Sequence, residues 1–134
     1  MAITPDGKRA YVASYDANGD VSVVDTATNQ VIGPPITVSS FPTAVAITPD
    51  GRHAYVADGG GVSVIDTATK QVVAQIPIVE GAFGIAITPD GTRAYAANYN
   101  QNNVSVIDTA TDQVIGEPIP VGSGPISVAI TPDG

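Results

Sequence analysis

The sequence predicts an all-β fold built from repeated blades of four antiparallel strands, three blades in the chain. Three observations carry this expectation. The pentapeptide Ile-Thr-Pro-Asp-Gly occurs four times, beginning at Ile3, Ile47, Ile87 and Ile130, so successive copies stand 44, 40 and 43 residues apart. A fixed period of this size is that of a propeller blade. The 14 Gly and 11 Pro residues fall at regular positions, as turn punctuation, and the segments between them are short β-branched runs with no helical period.

The second repeat shows how each element follows. Thr43 to Thr48 is a short apolar run ending at Pro49-Asp50-Gly51. Pro presets φ, Asp favours the turn and Gly accepts a positive φ, so a tight hairpin is expected there. Ala54 to Ala57 is the second strand and Val62 to Asp66 the third, joined by the Gly-rich loop Asp58 to Gly61. Thr67-Ala68-Thr69-Lys70 turns the chain again, and Gln71 to Val79 forms the fourth strand, expected to break near Pro77. The strands are mostly continuous apolar runs, which suits sheets covered on both faces by neighbours. The whole of 1–134 reads as one domain, with repeats at roughly 3–46, 47–86 and 87–129 and an extra inner strand at 125–131.

Composition narrows the function classes. The net charge of −8 opposes nucleic acid and anionic membranes as partners, because phosphate binding needs clustered Lys and Arg. No apolar run reaches the 18 residues of a membrane-spanning helix, so no membrane insertion is expected. The absence of Cys excludes thiol chemistry and zinc–thiolate sites. No leader pattern opens the chain, and the localisation stays open.

In a four-stranded meander the first and third turns share one end. Here that end holds the recurring Pro-Asp-Gly and Asp-Thr-Ala-Thr turns, with Asp6, Asp50, Asp90 and Asp133 beside Asp25, Asp66 and Asp108. Recurrence in every repeat points to turn geometry rather than chemistry. All five basic residues, Lys8, Arg9, Arg52, Lys70 and Arg93, belong to this end or its strand starts, where they offset carboxylates. The opposite end varies between repeats, and a repeat scaffold that diversifies one face binds there. The candidate ligand-binding residues on that face are Tyr15, Asp16, Asp20, Asp58, Phe41, Phe83, Tyr99, Asn100 and Asn103. Aromatic and amide groups beside carboxylates, without Lys or Arg, suit a cationic small molecule, a sugar or a peptide.

No catalytic set emerges. His53 is the single His and reads as an exposed strand-start residue, in the register of Arg9 and Arg93. No Gly-x-Ser-x-Gly element is present. Asp16-Ala17-Asn18-Gly19-Asp20 begins like a calcium loop but has Val21 at the sixth position and Ala27 at the twelfth, so an Asx-rich loop is expected instead. No metal and no cofactor are expected. The Tyr at 11, 55 and 95 recurs in register and is assigned to packing between blades.

Tyr55-Val56-Ala57-Asp58, Val62 to Thr69 and Val45 to Gly51, with their counterparts at Tyr11 and Val21 to Thr28 and at Tyr95 and Val104 to Thr111, resemble the YVTN β-propeller repeat. The fourth signature position varies, as Ser14, Asp58 and Asn98. The resemblance implies a secreted or cell-surface parent, and it extends to the repeats of some propeller lyases and lactonases. The expected role is a non-catalytic binding or structural scaffold, not an enzyme. The alternative is a lyase- or lactonase-type propeller enzyme with its site on the variable face. Three blades are too few for a closed ring, which usually holds about four to eight. The chain begins within one repeat and carries a spare inner strand at its end. An excised or engineered half-ring is therefore expected to close by strand exchange, as a homodimer with six blades in preference to a trimer with nine.

Overall fold

A computed structural model describes residues Met1–Gly134 and contains fourteen strands and no helix. The first blade is β1 (Ala2–Ile3), β2 (Arg9–Ser14), β3 (Asp20–Asp25), β4 (Gln30–Val31) and β5 (Ile36–Thr37). The second is β6 (Ala44–Ile47), β7 (His53–Asp58), β8 (Gly61–Asp66) and β9 (Gln71–Pro77). The third is β10 (Gly84–Ile87), β11 (Arg93–Asn98), β12 (Asn103–Asp108), β13 (Gln113–Val114) and β14 (Ile119–Pro120). Each blade is an antiparallel meander in chain order, with β4 and β5 both paired to β3, and β13 and β14 both paired to β12. These are three blade-like sheets, and they do not by themselves make a closed ring.

The outer strand of the second blade ends at Pro77, as expected, and the other two blades break earlier. β9 is continuous from Gln71 to Pro77, where it ends, with one register shift between Val64 and Ile65 of its partner. The breaks fall in the other two blades, at Gly33-Pro34-Pro35 and Gly116-Glu117-Pro118. Proline cannot donate to a ladder, and the chain leaves the sheet where proline stands inside an outer strand.

The core lies between blades. Tyr11, Val21, Val23 and Ile36 of the first blade close on Val45, Ala54, Val56 and Ile65 of the second. Tyr55, Ala57, Val62, Val64 and Ile76 of the second close on Ile85, Ala94, Ala96 and Ile107 of the third. Alternate residues of β7 and β8 therefore serve opposite interfaces, which is why their sequences read as unbroken apolar runs. The Tyr55 hydroxyl crosses to the third blade and donates to Asp112 Oδ1 at 2.5 Å. Burial first, and then this carboxylate partner, push its phenol well above the ordinary tyrosine range.

The expected extra strand at 125–131 does not form. The segment runs beside β10 without a ladder, close enough that a Cβ on Gly84 would stand 2.7 Å from the Ile126 carbonyl oxygen. Its Pro-Asp-Gly turn still closes, with the Thr131 hydroxyl donating to Asp133 Oδ1 at 2.6 Å and the Gly134 N–H to the Thr131 carbonyl at 2.9 Å. These bonds repeat those of the Thr4, Thr48 and Thr88 turns.

Candidate functional site on the variable-loop face

At the recurring end each carboxylate is spent on backbone geometry. Asp50 Oδ1 accepts the Thr48 hydroxyl at 2.6 Å and the Arg52 N–H at 3.0 Å, and Asp6 and Asp90 repeat the arrangement. Asp66 Oδ1 accepts the N–H groups of Ala68 and Thr69, as Asp25 and Asp108 do in their turns. The Thr67 hydroxyl then laces one turn to the other by donating to the Gly51 carbonyl at 2.6 Å. Hydrogen bonds to the charged form hold Asp6, Asp25, Asp50, Asp66 and Asp90 below the ordinary carboxylate range. Asp90 is lowered to about 2, chiefly by the Thr88 hydroxyl, while Asp25 and Asp66 are lowered chiefly by the turn N–H groups. Arg9–Asp25 and Arg93–Asp108 pair at 3.0 and 3.3 Å. His53 opens β7 at this same end, in an inter-blade cleft of about 350 Å³ with Asp50, Tyr55 and Asp90.

The opposite end is built differently. The residue after β2 is Tyr15 and the residue after β11 is Tyr99, each free to project because the hairpin beyond it is a loop. Tyr15 packs against Phe41 in a tilted pair with ring centroids 5.3 Å apart, and Phe83 against Tyr99 at 5.1 Å. Between the pairs opens a groove of about 490 Å³ at the start of the inner strands, lined by Tyr15, Pro42, Ala44, Phe83, Ile85 and Ile126. The link that carries Phe83 is tied down by Thr43, whose hydroxyl donates to the Phe83 carbonyl at 2.6 Å.

The candidate residues of this face divide into two groups. Tyr15, Phe41, Phe83 and Tyr99 form the two aromatic pairs, and Asp16 lies directly beside them, its backbone carbonyl accepting the Phe41 N–H at 2.7 Å. The Asp16 carboxylate itself accepts the N–H groups of Asn18 and Gly19, the geometry of an Asx turn. Asn100 is exposed in the β11–β12 loop. Asp20 opens β3, in register with Ser14 and Thr37. Two others turn inward. Asp58 is 0% exposed, accepting the Gly60 N–H at 3.0 Å and the Ser63 hydroxyl at 2.5 Å. Asn103 Oδ1 accepts from Asn98 Nδ2 at 2.6 Å, and Asn98, 2% exposed, leaves its own Oδ1 without a partner. Pro42, Ile85 and Ile126 were not singled out from the sequence. Their signal was their place at or just before the start of an inner strand. No three His, Asp or Glu side chains converge as metal ligands.

The fold and this face define an all-β repeat protein of propeller blades with one conserved-geometry end and one diversified end. The chain belongs to the cytochrome D1 heme domain family, whose pattern matches residues 5–121. It is similar to the structure of hydrazine synthase from Kuenenia stuttgartiensis, at 34% identity and a TM-score of 0.90, over 98% of this chain and 38% of that one. It also superposes on the RRP9 WD40 repeats (17% identity, TM-score 0.77, 89% of this chain and 37% of that one) and on U3-55K (16%, 0.79, 92% and 39%), a likeness of fold alone. No curated protein sequence matches it. The chain thus spans well under half the length of the solved structures it resembles.

These findings correct four expectations. The YVTN resemblance gives way to the cytochrome D1 heme domain family. The non-catalytic structural or binding scaffold gives way to kinship with an enzyme, which stands closer to the alternative of a propeller enzyme. With it goes the expectation that the chain is no enzyme. The self-assembling homodimer is overturned as well, because the solved relative presents these blades as 38% of a longer enzyme chain rather than as a self-pairing half-ring.

Proposed function

We propose that these three blades are part of a propeller enzyme of the cytochrome D1 heme domain family and that its site lies on the variable-loop face, around the groove between Tyr15 and Phe83. The observation that carries the reading is the 34% identity to hydrazine synthase over 98% of the chain. That relative is named for making a small nitrogen base, and we take a compound of this class as the ligand here. The electrostatics of the face agree with it. Asp16, Asp20 and Glu80 stand at this end and no Lys or Arg does, so the field favours a protonated amine.

The family description also names a heme, and the residues present do not fit one. Heme iron takes a His, Cys, Met or Tyr ligand. His53 stands at the opposite end from the groove, Cys is absent, and Met1 is an exposed N-terminal residue. Tyr15 and Tyr99 are on this face, but each packs tilted against a Phe ring at an open rim, 67% and 43% exposed. No cation is available on this face for the carboxylates of a porphyrin. No step of the proposed function is therefore routed through a heme held by these residues.

Calorimetric titration of the chain with hydrazine tests the reading. Saturable binding that Phe83→Ala weakens and Arg52→Gln, at the opposite end, leaves unchanged is the expected result. Binding that Arg52→Gln weakens and Phe83→Ala does not, or no binding, overturns it.

A further inference from the structure

The link before each inner strand is left-handed at one equivalent position, and the second link is left-handed at the preceding Glu80 as well, with φ of 62°. The three equivalent positions are Phe41, Gly81 and Gly124, with φ of 55°, 78° and 63°. Gly suits this backbone because it has no Cβ to clash. A bulky aromatic residue there is an outlier, and backbone strain of this kind is retained where surrounding structure holds it in place. What holds Phe41 is visible. Its N–H donates to the Asp16 carbonyl at 2.7 Å and its ring lies against Tyr15.

The other two links show why Gly is the ordinary solution. A Cβ at Gly81 would stand 2.7 Å from the Asp58 carbonyl oxygen, and one at Gly124 would stand 3.0 Å from the Tyr99 ring. Only the first link opens enough room for a side chain, and it carries an aromatic ring that remains 43% exposed. Packing does not account for a half-exposed Phe on a strained backbone. A ligand for its ring does.

We infer that Tyr15, Phe41 and Phe83 form an aromatic subsite for an alkylated ammonium group. Tyr15 and Phe83 line the same groove, and Phe41 packs against Tyr15 at its rim. Aromatic faces attract an organic cation through their quadrupole, and several faces around one cation are the usual recognition mode for quaternary ammonium. Charge complementarity selects this occupant over a neutral apolar one. The chain carries a net charge of −8, Asp16 adjoins the Tyr15–Phe41 pair, and no Lys or Arg at this end competes for the rings. The inference rests on the variable face being the site, as proposed above, and adds the chemistry of its ligand.

The probes are choline and its neutral isostere 3,3-dimethylbutanol, followed by NMR shifts of the aromatic rings. Choline should shift the Tyr15, Phe41 and Phe83 rings saturably, and the alcohol should bind at least about tenfold more weakly. Phe41→Gly places the residue found in the other two links, so the fold should keep or raise its melting temperature while choline affinity falls at least about tenfold. Equal binding of both probes, full choline affinity in Phe41→Gly, or no choline binding each overturns the inference. If hydrazine binds at this face and choline does not, the alkylammonium subsite is wrong and the proposed function stands. If neither binds, both fall.

Discussion

The two ends of these blades use the same residue types for opposite purposes. At the recurring end an Asp is found in every turn, and there it accepts local donors, a Thr hydroxyl and an N–H at Asp50 and two N–H groups at Asp66. At the variable end no two loops agree. Asp16 caps its own loop, Asp58 is buried against Ser63, and the position after the strand is Tyr15 in one blade, Gly59 in the next and Tyr99 in the third. Repetition marks what the backbone requires. Departure from repetition marks where the backbone imposes no common residue, and the aromatic groove lies there.

The comparison can be broken first at the core that both ends depend on. Ile65 is fully buried between the first and second blades. Ile65→Ala should cost about 2–5 kcal/mol, read by denaturant unfolding. A loss below about 1 kcal/mol would mean the blades do not pack as described.

The next test separates two carboxylates of the same face. Asp58→Ala strands the buried Ser63 hydroxyl and releases the Gly60 N–H, and should cost about 1–3 kcal/mol. Asp16→Ala removes an exposed cap and should cost less, about 0.5–1 kcal/mol. The reverse order in melting temperature would place Asp58, not Asp16, in the solvent-facing site.

A smaller effect belongs to the recurring end. Asp6, Asp25, Asp50, Asp66 and Asp90 all titrate below their unfolded value of 3.8, and Asp90 is at about 2. A folded value below the unfolded one contributes stability that is fully present above the unfolded value and is lost as pH falls through the folded one. The melting temperature should therefore decline from about pH 4 toward pH 2, and Asp90→Asn should make the decline shallower. An identical slope in that variant would show that the Thr88–Asp90–Thr92 bonds contribute nothing to folding.

The recurring end was legible in the sequence because its turns are local. Thr131 and Asp133 form the same bond as Thr4–Asp6, Thr48–Asp50 and Thr88–Asp90, so a few neighbouring residues contain the instruction. Tyr55 was legible as packing because it recurs at the blade period. The inward turn of Asp58 was not, since it depends on Ser63 across the hairpin, and an acidic loop residue looks the same whether it folds in or out. Nor was the family. The repeated residues build turns and interfaces shared by propellers of unrelated activity, so they reported a fold and pointed to the wrong relatives. The groove escaped notice because Pro42, Ile85 and Ile126 come from separate repeats and meet only when the inner strands stand side by side.

The most direct test of the division between the two ends is a backbone-amide NMR map of the chain titrated with hydrazine. Shifts gathered at residues 15–19, 41–44, 83–85 and 99–103, with the turns at Asp6, Asp50 and Asp90 unmoved, are the predicted result. Shifts centred on those turns and on His53 would contradict the account and place the site on the recurring face.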